Sequence, residues 1–258
     1  MIIGAQLYNL REYCKTLEDL EKTLYRVAEM GYKIVQLSGV CDYTADEIIP
    51  LLEKTGLKAP LTHFSYKRIV EDTDATIKLH KDIGIEYVGL GSMPGFKKGG
   101  CTKEIIDAFA DEVAPAVKKI KESGLKFMYH NHNMEFVKYE EGITALEYLV
   151  NKFSPDEFGV TLDGYWVVAG GGDPVEWLYR LNGRCNCIHL KDMVYSGEDG
   201  AVRMCPIGKG NINYKRICEE AIHLGVEYAF IEQDHSYGED PFECLKQSFD
   251  YLHSVGLC

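Results

Sequence analysis

Polar side chains stand where the apolar runs of this chain end. In order the positions read Gln6 and Tyr8, Gln36 and Ser38, His63, then the glycines Gly89 and Gly91 at the fourth run, His130 and His132, Asp163, His189 and Lys191, and Glu232 and Asp234. Mixed imidazoles and carboxylates are the ligand types of Mn²⁺, Zn²⁺, Co²⁺ and Fe²⁺. Ionisable groups gathered in one place without a counter-charge are costly, and a divalent cation resolves that cost. As a Lewis acid it would chelate a carbonyl and an adjacent hydroxyl and stabilise an enediolate. A base would then remove the proton α to the carbonyl, and His132, His130 and Glu232 are the candidates. Lys191 is a candidate for holding a substrate oxygen, or else forms a rim salt bridge with Asp192. His63 is a candidate for binding a hydroxyl, and Trp166 and Phe64 for an apolar wall. Tyr8 and Gln36 complete the substrate-binding candidates.

The elements that must position these groups alternate, a short β-like run before each longer segment of helical period. The runs are 2–8, 33–38, 58–64, 86–91, 126–132, 158–163, 185–191 and 228–234. Helices follow over 16–30, 44–54, up to 83, 102–122, around 143–151, after Asp173-Pro174, over 213–224 and from Asp240-Pro241. Gly31, Gly56, Gly84, Gly124 and Gly225 stand where helices give way to strands, the usual place for a left-handed residue. Side-chain alternation turns Cys187, His189 and Lys191 to one face, with Ile188 and Leu190 on the other. It likewise turns Asp163, Glu232 and the pair His130 and His132 inward. Eight β-then-α units make an open doubly wound sheet or a closed (β/α)8 barrel. The barrel is favoured because functional groups of that fold come from the C-terminal strand ends, and no glycine-rich dinucleotide fingerprint follows the first run. The expectation is an α/β protein, one (β/α)8 TIM-barrel domain over residues 1–258.

Length agrees: 258 residues match the roughly 250 of such a barrel. The 28 Lys and Arg against 40 Asp and Glu give a net charge of −12, which argues against gripping nucleic acid. No run approaches the roughly 20 apolar residues of a membrane span, and no secretory leader is visible. Nine cysteines without a CxxC pair read as buried small hydrophobes of a reduced, cytoplasmic protein. The segments 95–100, 170–172 and 208–210 are glycine-rich and offer amides to an anion, the last with Lys209. The expectation is nevertheless an unphosphorylated substrate.

Four motifs carry a family resemblance across nearly the whole length: Tyr129-His130-Asn131-His132-Asn133-Met134-Glu135-Phe136, Thr161-Leu162-Asp163-Gly164-Tyr165-Trp166, Ile188-His189-Leu190-Lys191-Asp192 and Ile231-Glu232-Gln233-Asp234. Together they resemble the xylose-isomerase-like TIM-barrel superfamily of sugar phosphate isomerases and epimerases. The resemblance implies one divalent metal, Mn or Zn favoured over Co, Fe or Mg, held by Asp163, His189, Glu232 and a residue from the fifth strand. Ketose 3-epimerases of this group carry Glu near the position of His130. Here the nearest Glu is Glu135, an arrangement similar to the dehydratase-like branch, so Glu135 is taken as fourth ligand with His130 as the alternative. Trp166 replaces the His that the epimerases place three residues after the sixth-strand Asp. The implied activity is isomerisation or epimerisation of a sugar or keto-sugar in carbohydrate metabolism. Its alternatives are a lyase or dehydratase acting on a keto-sugar or inosose, or a non-catalytic sugar-binding barrel. The implied partner is a small carbohydrate, with no nucleic acid, no membrane and a homo-oligomer left open. The endonuclease IV branch needs many more His ligands: of eight His here, His80, His223 and His253 fall in helical segments.

Overall fold

The computed structural model describes residues 1–95, 100–197 and 200–257. Eight parallel strands follow one another in the order β1 (Ile2–Gln6), β10 (Tyr228–Ile231), β7 (Cys187–Leu190), β6 (Phe158–Asp163), β5 (Lys126–His130), β4 (Tyr87–Leu90), β3 (Lys58–Thr62) and β2 (Ile34–Leu37), and close a barrel. The expected (β/α)8 fold is therefore the observed one. By packing, the chain forms two compact units, residues 1–60 with 187–258, and residues 61–186.

In the first unit, β1 pairs with β2 and β10, and β10 with β7. Gly4, Phe230 and His189 are successive partners across that sheet. A Cβ at Gly4 would stand 2.6 Å from Ile34 and 2.9 Å from Phe230, so only glycine leaves room for the Phe230 ring. Alternation from Phe230 then puts Glu232 on the His189 face, and the Glu232 N–H extends the ladder by donating to Leu190 O. Helices α1 (Leu17–Glu29), α2 (Ala45–Thr55), α9 (Tyr214–His223) and α10 (Pro241–Ser254) belong to this unit. Each starts at a residue that suits the role: Thr16, Thr44, Asn213 and Asp240.

The second unit carries the end of β3 and all of β4 to β6, with α3 (Tyr66–Glu71), α4 (Thr73–Ile83), α5 (Lys103–Glu122), α6 (Ala145–Val150), α7 (Gly164–Ala169) and α8 (Pro174–Arg180). Its core is aromatic: Phe153, Phe127 and Tyr129 all pack on Phe158, with ring centroids 4.6, 5.0 and 5.8 Å away. Tyr129 also meets Phe109 of α5 at 5.8 Å. The odd residues of β5 thus face the helix layer, and His130 faces the other way. The helix-terminating glycines follow expectation: Gly31, Gly56, Gly84, Gly124 and Gly225 all have positive φ, from 68° to 106°.

Four local readings need correction. Run one ends at Gln6, and a 3₁₀ helix over Leu7–Tyr13 takes Tyr8 out of strand alternation. The Gln6 side chain starts that turn by accepting the Tyr8 N–H at 2.8 Å. Run five ends at His130: the His132 N–H turns back to Glu135 Oε2 at 2.9 Å, so alternation does not orient His132. The helical segment before Gly84 is broken at Asp72 into α3 and α4. After β7, an antiparallel hairpin of β8 (Asp192–Tyr195) and β9 (Val202–Cys205) occupies what reads as loop.

Candidate functional site

In the first unit, His189, Gln36, Gln6, Lys191 and Glu232 form one buried polar group. The His189 ring is fixed on both edges. Its Nε2 donates to Gln36 Oε1 at 2.7 Å, and its Nδ1 faces Glu232 Oε2 at 2.8 Å. Glu232 also accepts from Gln6 Nε2 at 3.2 Å and from Lys191 Nζ at 2.9 Å. Lys191 is only 1% exposed and reaches Asp234 Oδ2 at 3.2 Å. The expected alternative for Lys191, a salt bridge with Asp192, is not the arrangement found. Asp192 points elsewhere, and the Lys191 backbone is held from both sides by the Tyr214 hydroxyl.

Asn9 sets the position of Glu232 without touching its carboxylate. Its Nδ2 donates to Ile231 O at 3.0 Å, and its Oδ1 accepts the Gln233 N–H at 2.6 Å. The peptide on each side of Glu232 is thereby fixed. No local pattern in the sequence marks Asn9. Tyr8, proposed for substrate, is 38% exposed and carries the Arg11 guanidinium 4.3 Å above its ring. Its backbone N–H reaches Gln6, but no described hydrogen bond brings its hydroxyl into the His189 and Glu232 group.

In the second unit, His130 and Asp163 face one another, with Nε2 and Oδ2 3.3 Å apart. The other nitrogen of His130, Nδ1, donates to Gly91 O at 3.0 Å. Asp163 Oδ1 caps α7 by accepting the Trp166 N–H at 3.2 Å. His63 and His132 both pack against His130, with ring centroids 5.3 and 4.8 Å away, and Trp166 lies 5.3 Å from His132. Five of the predicted side chains, His63, His130, His132, Asp163 and Trp166, are thus brought together here.

Glu135 sits behind them. It is fully buried, and its two oxygens accept from the Tyr129 hydroxyl at 2.5 Å and the His132 N–H at 2.9 Å. Burial pushes its carboxyl above the ordinary range, and pushes the Tyr129 phenol far up as well.

The two imidazole–carboxylate pairs share one logic. A carbonyl-type oxygen takes the N–H of each ring, Gly91 O for His130 and Gln36 Oε1 for His189. With each ring neutral, its second nitrogen aims a lone pair at a carboxylate oxygen. Two acceptors repel at 2.8–3.3 Å, and either a proton on the ring or a bound cation between them removes that repulsion. Two ligand atoms each ~2.1 Å from a metal and at right angles are ~3 Å apart, so both pairs have the spacing of neighbouring ligands. Metal-bound His residues are oriented by an outer carbonyl or carboxylate in this way. Each pair is therefore fit to supply two ligands to a divalent cation.

The glycine-rich segments behave differently from one another. Residues 96–99 lie outside the described residues. The amides of Gly170, Gly171 and Gly172 are spent on Trp166 O, Val168 O and Val167 O, ending α7. At 208–210 the anion is the chain's own. Asp192, fully buried, accepts from Gly208 N at 3.0 Å, Gly210 N at 3.1 Å, Ile212 N at 3.1 Å and Met193 N at 2.8 Å. Burial raises its carboxyl, and the four N–H groups oppose the rise.

All eight cysteines among the described residues are thiols, and six of them are buried. Burial pushes the thiols of Cys14, Cys101, Cys185 and Cys205 up to about 12, which makes them inert packing groups. No helix among the described residues is long and apolar enough to cross a membrane.

The comparisons with known proteins agree with this architecture. A sugar phosphate isomerase/epimerase from Parabacteroides distasonis superposes with a TM-score of 0.79 and 25% identity, over 99% of this chain and 98% of that one. An L-ribulose 3-epimerase superposes at 0.77 with 16% identity, over 99% and 94%. The IOLI protein, solved with a bound zinc atom, superposes at 0.75 with 15% identity, over 99% and 98%. No curated protein matches the chain. The family model described as xylose isomerase-like TIM barrel matches residues 24–255, and this chain belongs to that family.

Proposed function

We propose that the chain is a divalent-metal-dependent isomerase or epimerase of a sugar or keto-sugar, with residues 1–258 working as one catalytic domain. The observation that carries this reading is the pair of imidazoles, each tethered by a carbonyl and each aimed at a carboxylate. In this reading His130, Asp163, His189 and Glu232 are the four ligands of one cation, Mn²⁺ or Zn²⁺ by donor type. His130, the alternative to Glu135, takes the fourth place because its Nε2 stands 3.3 Å from Asp163 Oδ2, whereas the Glu135 oxygens are turned to Tyr129 and His132. The zinc held by the IOLI protein and the epimerase activity named for its structural neighbour support the same reading.

The cation supplies Lewis acidity to a substrate carbonyl and the hydroxyl beside it. His132 is the base that takes the proton from the carbon α to that carbonyl, with the Glu232 oxygen that Gln6 holds as a second acceptor. Return of the proton to the opposite face of the same carbon gives an epimer. Return to the former carbonyl carbon gives an isomer. Lys191 holds the developing oxyanion and also balances the charge of Glu232 and Asp234. Gln36 and His63 bind hydroxyls, Trp166 covers the apolar face of the substrate, and Tyr8 lines its entrance. A second reading is elimination. His63 and His132, both against the His130 ring, supply an acid and a base, and loss of a β-hydroxyl then competes with reprotonation.

The test is proton exchange in deuterated water over a panel of free ketoses, aldoses and cyclic keto-polyols, followed by NMR, with the metal content measured on the same samples. Exchange at the carbon α to the carbonyl, lost on chelation and restored by Mn²⁺ or Zn²⁺, is expected. Products distinguish epimer, isomer and alkene. A protein that binds no divalent metal and exchanges no substrate proton overturns the proposal.

A further inference from the structure

The loop after the seventh barrel strand is where (β/α)8 barrels commonly take a phosphate, through backbone amides. Here that loop encloses the carboxylate of Asp192. Oδ2 accepts from Gly208 N and Gly210 N, and Oδ1 from Met193 N and Ile212 N. A Cβ at Gly210 would stand 2.2 Å from Oδ1, so the loop is closed around this one group. No lysine or arginine hydrogen-bonds to Asp192 among the described residues, and its neighbour Lys191 is turned to Glu232 and Asp234. Four N–H dipoles converging on an anion are the chemistry of a phosphate nest. We propose that Asp192 is a built-in anion filling this nest, and that it denies the site to the phosphate of a phosphorylated substrate. This deepens the functional reading above and rests on it for the choice of a free sugar as substrate. The nest itself is a property of the loop and can be tested alone.

Replacing Asp192 by Ala empties the nest while keeping the backbone. Asp192→Ala should lose stability and regain it with inorganic phosphate, its Tm rising by about 3–8 °C over tens of millimolar phosphate at constant ionic strength. Wild type should not respond beyond a chloride control. Asp192→Asn keeps the volume but turns an NH₂ toward two of the donors. Its Tm should fall well below wild type, and phosphate should not restore it. Wild type that gains as much from phosphate as Asp192→Ala overturns the proposal, as does an Asp192→Asn protein with unchanged Tm. If Asp192→Ala does not fold in chloride, refolding in phosphate decides: recovery supports the nest, and failure in both buffers overturns it. Kinetically, wild type should favour a free keto-sugar over its terminal phosphate by at least about 10-fold in kcat/KM, and a reversed preference overturns the selectivity claim. If neither sugar reacts, the functional reading fails, while the phosphate response still judges the nest.

Discussion

Asn131 holds Asp163 by the backbone on both sides. Its Oδ1 accepts the Asp163 N–H at 2.9 Å, and its Nδ2 donates to Asp163 O at 3.5 Å. Asn9 does the same for the peptides around Glu232. Each proposed carboxylate ligand thus stands at a strand end whose backbone is pinned by an asparagine amide. Such outer contacts set ligand geometry.

Asn131→Ala should therefore weaken metal binding by about 10–100-fold, the usual effect of removing an outer partner of a ligand. Competition with a chromogenic chelator reads this directly. Asn9→Ala should behave alike. Wild-type metal affinity in both variants would show that the clamps serve folding alone.

Glu135 and His130 give opposite expectations. Glu135→Gln keeps an acceptor for the Tyr129 hydroxyl and should keep its metal, because neither oxygen of Glu135 is in the His130 and Asp163 pair. His130→Gln should lose most of it. Metal analysis of the two purified proteins settles the assignment, and loss of metal from Glu135→Gln restores Glu135 as ligand.

The residues that hold the reacting groups were more legible than those that hold the holders. Asp163 ends β6, His189 lies within β7 and Glu232 follows β10, and the alternation along each apolar run sets their facing. Asn9 and Asn131 act through backbone partners 222 to 224 and 32 residues away in sequence, a register set by the barrel and invisible to local pattern. Asp192 was readable only as a charge beside Lys191. Its true partners are amides of a loop that closes after the β8–β9 hairpin, which polar and glycine-rich spacing disguised as irregular chain. Tyr8 and His132 show the limit of period-two reasoning, since a side-chain acceptor, Gln6 or Glu135, turns the backbone before the strand pattern ends.

His132→Ala should lower kcat by roughly 10²–10⁴ on whichever substrate proves active, with metal content near wild type. Its ring lies against His130 and Trp166, and its backbone N–H, which an alanine retains, is what orders Glu135. Asp163→Asn should lose metal and turnover together. Full turnover in His132→Ala would transfer the base role to Glu232.

His80 makes stability depend on pH away from the proposed site. The ring is fully buried, donates from Nδ1 to Thr76 O at 2.7 Å and meets the Thr62 hydroxyl with Nε2 at 2.8 Å. Both nitrogens of the neutral ring are satisfied. Burial, aided by the nearby charge of Arg68, lowers its pKa from 6.5 to about 4. Between those two values the unfolded chain binds a proton that the folded chain refuses. Stability from this group is therefore complete above pH 6.5 and is lost as the pH falls to about 4, by about 3 kcal/mol in all. Glu135, whose pKa is raised, has the opposite sign and favours the fold at low pH. The wild-type profile sums both, so the informative quantity is the difference made by one substitution. Metal-free His80→Gln should be less stable at neutral pH, yet lose less Tm between pH 7 and pH 4 than metal-free wild type, by about 6–12 °C. Parallel Tm profiles for the two proteins would show that His80 does not titrate in the folded chain as its burial requires.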